Sequence, residues 1–163
     1  MKSVFDEKAS SWDTEERIMR AGVVASSIRS AVDVPHNARI MDFGAGTGLV
    51  GMNFLDVTGD IAFVEKSDGM RNVLRAKIAA KGISTLREFE DLEDDELRES
   101  PFDLIVNSLV FHHLKDIKAT GRELYGLLRD GGSLCIVDLM PDDGSFHASE
   151  AGFDGYDGFD PEW

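Results

Sequence analysis

Apolar residues along this chain follow two patterns that alternate with each other. The first has helical spacing and begins near Asp13 or Thr14, either of which can cap a helix. Its apolar positions recur three and four residues apart, at Ile18, Ala21, Ala25, Ile28 and Val32. This spacing predicts an N-terminal helix with one buried face.

The second pattern consists of short, continuous apolar runs. Continuous runs are typical of strands that are covered on both faces. They predict five strands, at about 38–41, 61–65, 83–86, 102–107 and 134–138. Helical segments separate them, at about 49–55, 68–81, 91–98 and 117–128. Because strands alternate with helices, the sequence predicts an α/β fold: a doubly wound, Rossmann-like and mostly parallel sheet with helices on both faces.

A glycine-rich loop follows the first predicted strand. In a sheet of this kind the ligand binds beyond the carboxyl ends of the strands. Gly44, Gly46 and Gly48 occupy alternate positions, so the backbone can turn tightly there and approach a ligand closely. Residues 46–51 also satisfy the dinucleotide pattern G-x-G-x-x-G, so a nicotinamide-dependent oxidoreductase is an alternative.

Two acidic residues bear on that choice of ligand. Asp42 places a carboxylate beside the loop, which disfavours a pyrophosphate and favours a cationic amino group. The glycine pattern begins at Gly44, directly after the strand, whereas the dinucleotide pattern would begin two residues later, at Gly46. Glu65 ends the second predicted strand and can accept hydrogen bonds from ribose hydroxyls, which both ligand classes carry. Asp42 and the frame therefore favour an amino-acid-type ligand over a dinucleotide.

Four segments resemble, in order and spacing, motifs of the class I S-adenosylmethionine-dependent methyltransferases: residues 42–48, 65–70, 102–114 and 127–134. The resemblance covers residues 5–140 and is nearest to the small-molecule methyltransferases of ubiquinone and menaquinone biosynthesis. It implies the strand order 3-2-1-4-5, S-adenosylmethionine as the cofactor, S-adenosylhomocysteine as the product and a small molecule as the methyl acceptor.

The resemblance also implies which residues hold the cofactor. They lie in or after the first four strands: Asp42, Gly44, Ala45, Gly46, Gly48, Glu65, Lys66, Met70, Glu90, Asp91 and Asn107. The acid beside the adenine amino group is left open among Glu88, Glu90 and Asp91. Met70 is either an apolar wall of the adenine site or a core residue of its helix.

Two histidines follow the fourth predicted strand. His112 and His113 are the candidate catalytic residues, as a general base or as hydrogen-bond partners of the acceptor. The alternative is that they hold the loop in place. Together with Asp138 and His147 they could also bind a metal, but these ligands are scattered along the sequence at no known metal-site spacing, so we expect no metal.

Charge and cysteine content exclude several function classes. The net charge is −14, from 17 basic and 31 acidic residues, which argues against a nucleic-acid substrate because nucleic-acid affinity comes from cations on phosphates.

No apolar run is long enough to span a membrane, and the N-terminus resembles no signal peptide, so we expect a cytoplasmic protein. Cys135 is the single cysteine, so neither an internal disulfide nor a cysteine cluster can form.

The chain is expected to form one domain, residues 1–163. Within it, residues 1–36 are expected to form a lid helix, 37–140 the cofactor-binding core and 141–163 an acidic tail. Three Gly-aromatic-Asp triplets at 152–160 predict either a loop near the acceptor site or a flexible end, and 160–163 resembles the start of a helix.

The sequence ends before the sixth and antiparallel seventh strands of the family. The fifth strand is then an open edge, a candidate for pairing in a homodimer. The same shortness favours a second alternative, a cofactor-binding module without its own activity.

Overall fold

The computed structural model describes residues 3–148 and 153–160. Five strands form the sheet: β1 (Ile40–Phe43), β2 (Ile61–Val64), β3 (Arg87–Phe89), β4 (Phe102–Ser108) and β5 (Leu128–Val137). Four α-helices accompany them: α1 (Val4–Lys8), α2 (Glu15–Ala31), α3 (Asp68–Lys81) and α4 (Ile117–Leu127). Short 3-10 turns lie at Ala9–Ser11, Gly51–Phe54, Asp95–Arg98 and Phe111–His113.

All strand pairs are parallel, and the order is β3-β2-β1-β4-β5. The predicted fold class and strand order are therefore confirmed. Phe43 at the end of β1 lies in register with Val64 of β2 and with Asn107 of β4. Because these three strands end at the same level, the loops that follow them meet at one edge of the sheet.

The core lies on both faces of the sheet. Successive residues of β1 point to opposite sides, so Ile40 packs with Ile28 of α2 while Met41 packs with Leu124 of α4. All four of these side chains are buried, as expected for strands that are covered on both faces.

Helix ends follow the expected capping chemistry. Thr14 caps α2 by accepting a hydrogen bond from the backbone N–H of Arg17, and Ser67 caps α3 in the same way through Met70. Gly82 ends α3 in the left-handed conformation, with φ of 64°. On α2, however, Ile18 is 49% exposed, so the predicted apolar face begins only at Ala21.

Four sequence-based elements differ from the structure: two strands and two short helices. The third strand lies at Arg87–Phe89 rather than 83–86, because residues 83–86 form a turn closed by the Leu86 N–H on the Ile83 carbonyl. The fifth strand begins at Leu128, since the glycine turn before residue 134 is absorbed as an irregularity in its pairing with β4. The helices expected at 49–55 and 91–98 are 3-10 turns of four residues each.

Within the described residues, no helix combines the length and apolarity needed to cross a membrane.

Candidate functional site

The glycine loop after β1 takes a conformation that larger residues rarely adopt. Gly44, Gly46 and Gly48 have φ angles of 72°, 55° and 82°. The loop is fastened to β2, because the N–H groups of Gly44 and Ala45 both donate to the Val64 carbonyl, at 2.8 and 3.0 Å. A Cβ on Gly44 would lie 2.2 Å from Cγ2 of Val110. The loop therefore presents bare backbone next to the loop that follows β4.

Asp42 lies buried beneath this loop. Its Oδ2 accepts a hydrogen bond from the Gly51 N–H at 2.8 Å, which ties the two ends of the glycine segment together. Burial raises the pKa of Asp42 to about 7; the Gly51 hydrogen bond opposes the rise, and the nearby charge of Glu65 adds to it. A bound cation would stabilise the ionised form of this carboxyl group.

Glu65 joins the loops after β1 and β2. Its Oε2 accepts from the Gly46 N–H at 2.8 Å, and its Oε1 accepts from the Ser67 N–H at 2.7 Å. The carboxylate is half-buried, and each oxygen keeps a further lone-pair direction for a ligand hydroxyl.

Asn107 is fully buried at the end of β4. Its Nδ2 donates to the Phe43 carbonyl at 2.8 Å, whereas its Oδ1 has no hydrogen-bond partner among the described residues. Because an unpaired buried acceptor is costly, this oxygen is a candidate contact for a ligand donor.

The remaining predicted cofactor residues differ in their surroundings. Met70 is buried in the first turn of α3, and Lys66 is exposed. Glu90 is exposed and paired with Arg71 at 3.1 Å, and the exposed Asp91 accepts from a neighbouring backbone N–H. The third acid, Glu88, is engaged by Arg75 at 2.6 Å.

The structure therefore keeps all three candidate adenine acids near one another without singling one out. Arg71 was missed by sequence reasoning. It is a buried cation that pairs with Asp68 and Glu90, and both hydrogen bonds contribute to raising its pKa although burial opposes them.

The N-terminal segment lies across the loops after β1 and β2. Asp6 accepts from the Ser67 hydroxyl at 2.6 Å and from the Gly69 N–H at 2.9 Å, and these bonds lower its pKa. Asp13 pairs with Lys77 and accepts from the Thr47 hydroxyl. The contact of Asp6 with the loop after β2 gave no sequence signal, because Ser67 and Gly69 lie more than sixty positions away in the chain.

Trp12 lies over the glycine loop. A Cβ added to Gly46 would lie 3.8 Å from its indole nitrogen, so the ring borders the space into which a side chain at this position would extend. Phe5 packs edge-on against Trp12, with ring centroids 5.9 Å apart.

Three histidines meet at the loop after β4. His112, His113 and His147 each offer one nitrogen, and these nitrogens all lie within 4.8 Å of one another. These ligands are scattered along the sequence, but the fold brings three of them together because chain segments distant in sequence pack onto one another here. His112 also binds Asp138, with Nδ1 and Oδ1 2.5 Å apart.

The buried Asp138 carboxyl orients His112. Burial tends to raise its pKa, but the hydrogen bonds from the His112 ring and from the Leu139 N–H outweigh burial and lower the pKa. Asp138 therefore stays ionised and fixes which nitrogen of His112 faces away from it.

The acidic tail folds back over the histidines. The Tyr156 N–H donates to the His112 carbonyl at 2.8 Å, and the Phe159 N–H donates to the Leu139 carbonyl at the same distance. The Phe153 ring stacks on His147 with centroids 3.6 Å apart. Residues 153–160 contain neither helix nor strand, and the helix start expected at 160–163 lies largely outside the described residues.

Residues 41–134 match the protein family described as "Methyltransferase domain". An uncharacterized methyltransferase of Schizosaccharomyces pombe is 30% identical over 118 residues, which are 68% of this chain and 42% of that protein. A demethylmenaquinone methyltransferase of Bacteroides fragilis is 28% identical over 151 residues, covering 88% of this chain and 61% of that protein.

The fold has close counterparts among solved structures. One is a structure described as a putative S-adenosylmethionine-dependent methyltransferase from Methanococcus maripaludis. It superimposes with a TM-score of 0.69 and 19% identity, covering 83% of this chain and 65% of that one. The chain spans only part of the length of these curated relatives, 42% of the first and 61% of the second.

Proposed function

Because the chain belongs to the methyltransferase domain family, we propose that it transfers a methyl group from S-adenosylmethionine to a small-molecule acceptor. The observation that carries the proposal is the bridge made by Glu65, which joins the glycine loop to the loop after β2. It places a carboxylate with spare acceptor capacity beside bare backbone at the carboxyl edge of the sheet.

The residues present fit S-adenosylmethionine. The three glycines with positive φ give a close backbone approach at one end of the site. Asp42 suits the cationic amino group of the methionine moiety, since its carboxyl is buried with a single hydrogen bond. Glu65 suits the ribose hydroxyls, and the Asn107 Oδ1 offers an unpaired acceptor nearby in the sheet register.

S-adenosylmethionine supplies a methyl group on a sulfonium centre, whose leaving group is neutral. The protein then has to align the acceptor and exclude water rather than stabilise a large new charge. We assign this task to His112 and His113, in the loop after β4. His112 is held by Asp138, so its ring is fixed in orientation and can accept a hydrogen bond or a proton from an acceptor.

A nicotinamide cofactor has no comparable support. In the dinucleotide frame, the Gly46 N–H is among those that would face the pyrophosphate, but it is already bonded to the Glu65 carboxylate. Two acids, Asp42 and Glu65, would then lie beside a pyrophosphate, which is electrostatically unfavourable.

We also propose that residues 1–36 act as a lid, 37–140 as the cofactor-binding core and 141–163 as a wall of the acceptor side within one domain. Contacts of Asp6 and Asp13 with the loops after β2 and β1 support the lid. Packing of Phe153 on His147 supports the wall.

Among residues 3–148 and 153–160, no strand pairs with the outer edge of β5, and Ile136 on this strand is 44% exposed. We propose that this edge pairs with a second copy, which sedimentation velocity would detect as a dimer. The cytoplasmic location expected from the sequence stays a prediction.

Titration calorimetry with S-adenosylhomocysteine tests the proposed cofactor site. We expect the parent to bind it and Glu65→Gln to bind about 10- to 100-fold more weakly, because hydrogen bonds to a charged group are lost. Glu123→Gln, which removes an acid of α4 that pairs with Arg98, is the matched control and should leave the affinity unchanged. Binding of NAD instead, or equal losses in both variants, would contradict the proposal.

A further inference from the structure

His112, His113 and His147, which lie together beside the proposed acceptor site, can do more than form hydrogen bonds. We propose that His112, His113 and His147 form a binding site for a divalent transition metal, with Zn²⁺ as the natural occupant. The proposal of a metal site stands on the geometry of these residues alone.

The spacing of the nitrogens is close to that of a metal site. The three candidate nitrogens lie within 4.8 Å of one another. A tetrahedral zinc with Zn–N bonds of about 2.0–2.1 Å separates its ligand nitrogens by about 3.4 Å. The widest pair therefore has to close by up to about 1.4 Å, which small rotations of the imidazole rings about their side-chain bonds can supply.

Asp138 prepares His112 as a ligand. Its carboxylate holds Nδ1 of His112 at 2.5 Å, which directs Nε2 away from the carboxylate. Histidine ligands of metals usually donate their second ring N–H to a carboxylate in this way, because that fixes the tautomer and increases the basicity of the ligating nitrogen. Asp138 also brings one negative charge next to an otherwise neutral set of ligands.

His147 is buried with an unmet hydrogen-bonding group. The residue is 5% exposed, and its Nδ1 has no hydrogen-bond partner among the described residues. Phe153 stacks on the ring with an interplanar angle of 5°, which restricts its orientation. Leaving one nitrogen of a buried imidazole without a hydrogen-bond partner is costly, and a bound metal ion would remove that cost.

The type of ligand points to the type of metal. Three imidazole nitrogens suit Zn²⁺, Cu²⁺, Ni²⁺ or Co²⁺, whereas Mg²⁺ and Ca²⁺ prefer oxygen ligands. The formal net charge of −14 also favours an incoming cation over long range.

Such an ion would fasten the tail to the loop after β4. His112 and His113 belong to that loop, whereas His147 belongs to the segment after β5. With three protein ligands, a tetrahedral ion keeps a fourth position for water or for a heteroatom of the acceptor. Metal binding takes up the nitrogen of His112 that faces away from Asp138, so in the loaded protein the ion replaces His112 as the group that meets the acceptor. This last role, unlike the site itself, rests on the proposed function.

Metal titration of the full chain after removal of bound metal with a chelator tests the site. We expect one Zn²⁺ to bind per chain in competition with a chromophoric chelator, and Co²⁺ to give the intense visible absorption of a tetrahedral site. His147→Gln and His113→Gln should each weaken Zn²⁺ binding by at least about 100-fold, and Asp138→Asn by about 10- to 100-fold.

The chain supplies its own control. His36→Gln changes the fourth histidine, which is exposed at the end of the segment after α2, and should leave Zn²⁺ affinity unchanged. Melting curves without metal show whether each variant folds, and the less buried His113 provides a second ligand variant if His147→Gln unfolds.

A second readout concerns the tail. Zn²⁺ should slow limited proteolysis between β5 and the C-terminus in the parent but not in His147→Gln. Absence of stoichiometric binding, an equal loss in His36→Gln, or a weak octahedral Co²⁺ spectrum from carboxylate ligands would overturn the proposal. Because no S-adenosylhomocysteine is present, failure here is distinct from failure of the cofactor site.

Discussion

The glycine-loop site and the histidine cluster lie at the same edge of the sheet but are assembled in different ways. The first is made by residues 42–67, from two adjacent strands and their loops. The second needs the loop after β4, the end of β5 and the tail, from His112 to Phe153. A site built from neighbouring segments depends on backbone conformation, whereas one built from distant segments depends on docking of side chains.

The largest effect is expected where backbone conformation matters most. Gly44→Ala puts a Cβ on a residue with φ of 72° and within 2.2 Å of Cγ2 of Val110. The strained conformation and the overpacking together raise the free energy of the native loop conformation by about 2–5 kcal/mol. Because the ligand needs that loop conformation, S-adenosylhomocysteine binding should weaken by about 100-fold or more. Calorimetry measures this loss.

Zn²⁺ binding by Gly44→Ala should be unchanged if the two sites are assembled independently. Gly121→Ala is the matched control, because no atom lies within 4 Å of the added Cβ on α4. Adding Val110→Ala to Gly44→Ala should restore part of the affinity. A parallel loss of both ligands in Gly44→Ala would show that the two regions form a single unit.

A smaller effect is expected from Asp42. Its pKa of about 7 lies above the unfolded value of 3.8, so the folded state holds a proton that the unfolded chain has released. Stability must then fall as pH rises through this range, by about 2–3 kcal/mol between about pH 5 and pH 7. Above the folded pKa this contribution should be constant.

Asp42→Asn removes that contribution while keeping an oxygen for the Gly51 N–H. Chemical denaturation at the two pH values should give a flatter profile for the variant than for the parent. Parallel profiles would mean that Asp42 is ionised in both states.

The smallest effect is expected at the lid. Asp13→Asn weakens the contacts with Thr47 and Lys77 but leaves the glycine loop intact. A partly exposed pair of this kind is worth about 0.5–1 kcal/mol, so S-adenosylhomocysteine should dissociate about two- to fivefold faster. Stopped-flow displacement measures the rate, and an unchanged rate would argue against the lid.

The same contrast explains what could be predicted from the sequence. The glycine loop, Asp42 and Glu65 were predictable because each stands a fixed short distance from the end of a strand. Continuous apolar runs likewise predicted β1, β2 and β4 well, since these strands are covered on both faces.

The errors lie where local pattern carries little information. β3 is an edge strand of three residues, Arg87–Phe89, in which only Phe89 is apolar. The segment 83–86, with Ile83 and Leu86 at its ends, was mistaken for the strand. The sequence offered His147 as a ligand beside His112 but gave no spacing that supported it, because only the folding of the tail brings their ring centroids to 5.0 Å. A contact made by side chains of an irregular segment follows no fixed sequence spacing, so it could not be predicted from the sequence.

As the proposed lid, the N-terminal segment would have a consequence for turnover. Its Trp12 indole lies on the side of the glycine loop where Gly46 lacks a side chain, and its Phe5 ring packs near the histidine cluster, with a centroid 5.5 Å from that of His113. The two reaction products, one at the glycine loop and one near the histidine cluster, would therefore both be retained by this one segment. Its opening would release both together, so the interval between catalytic cycles would be set by how often this segment detaches rather than by the affinity of either product.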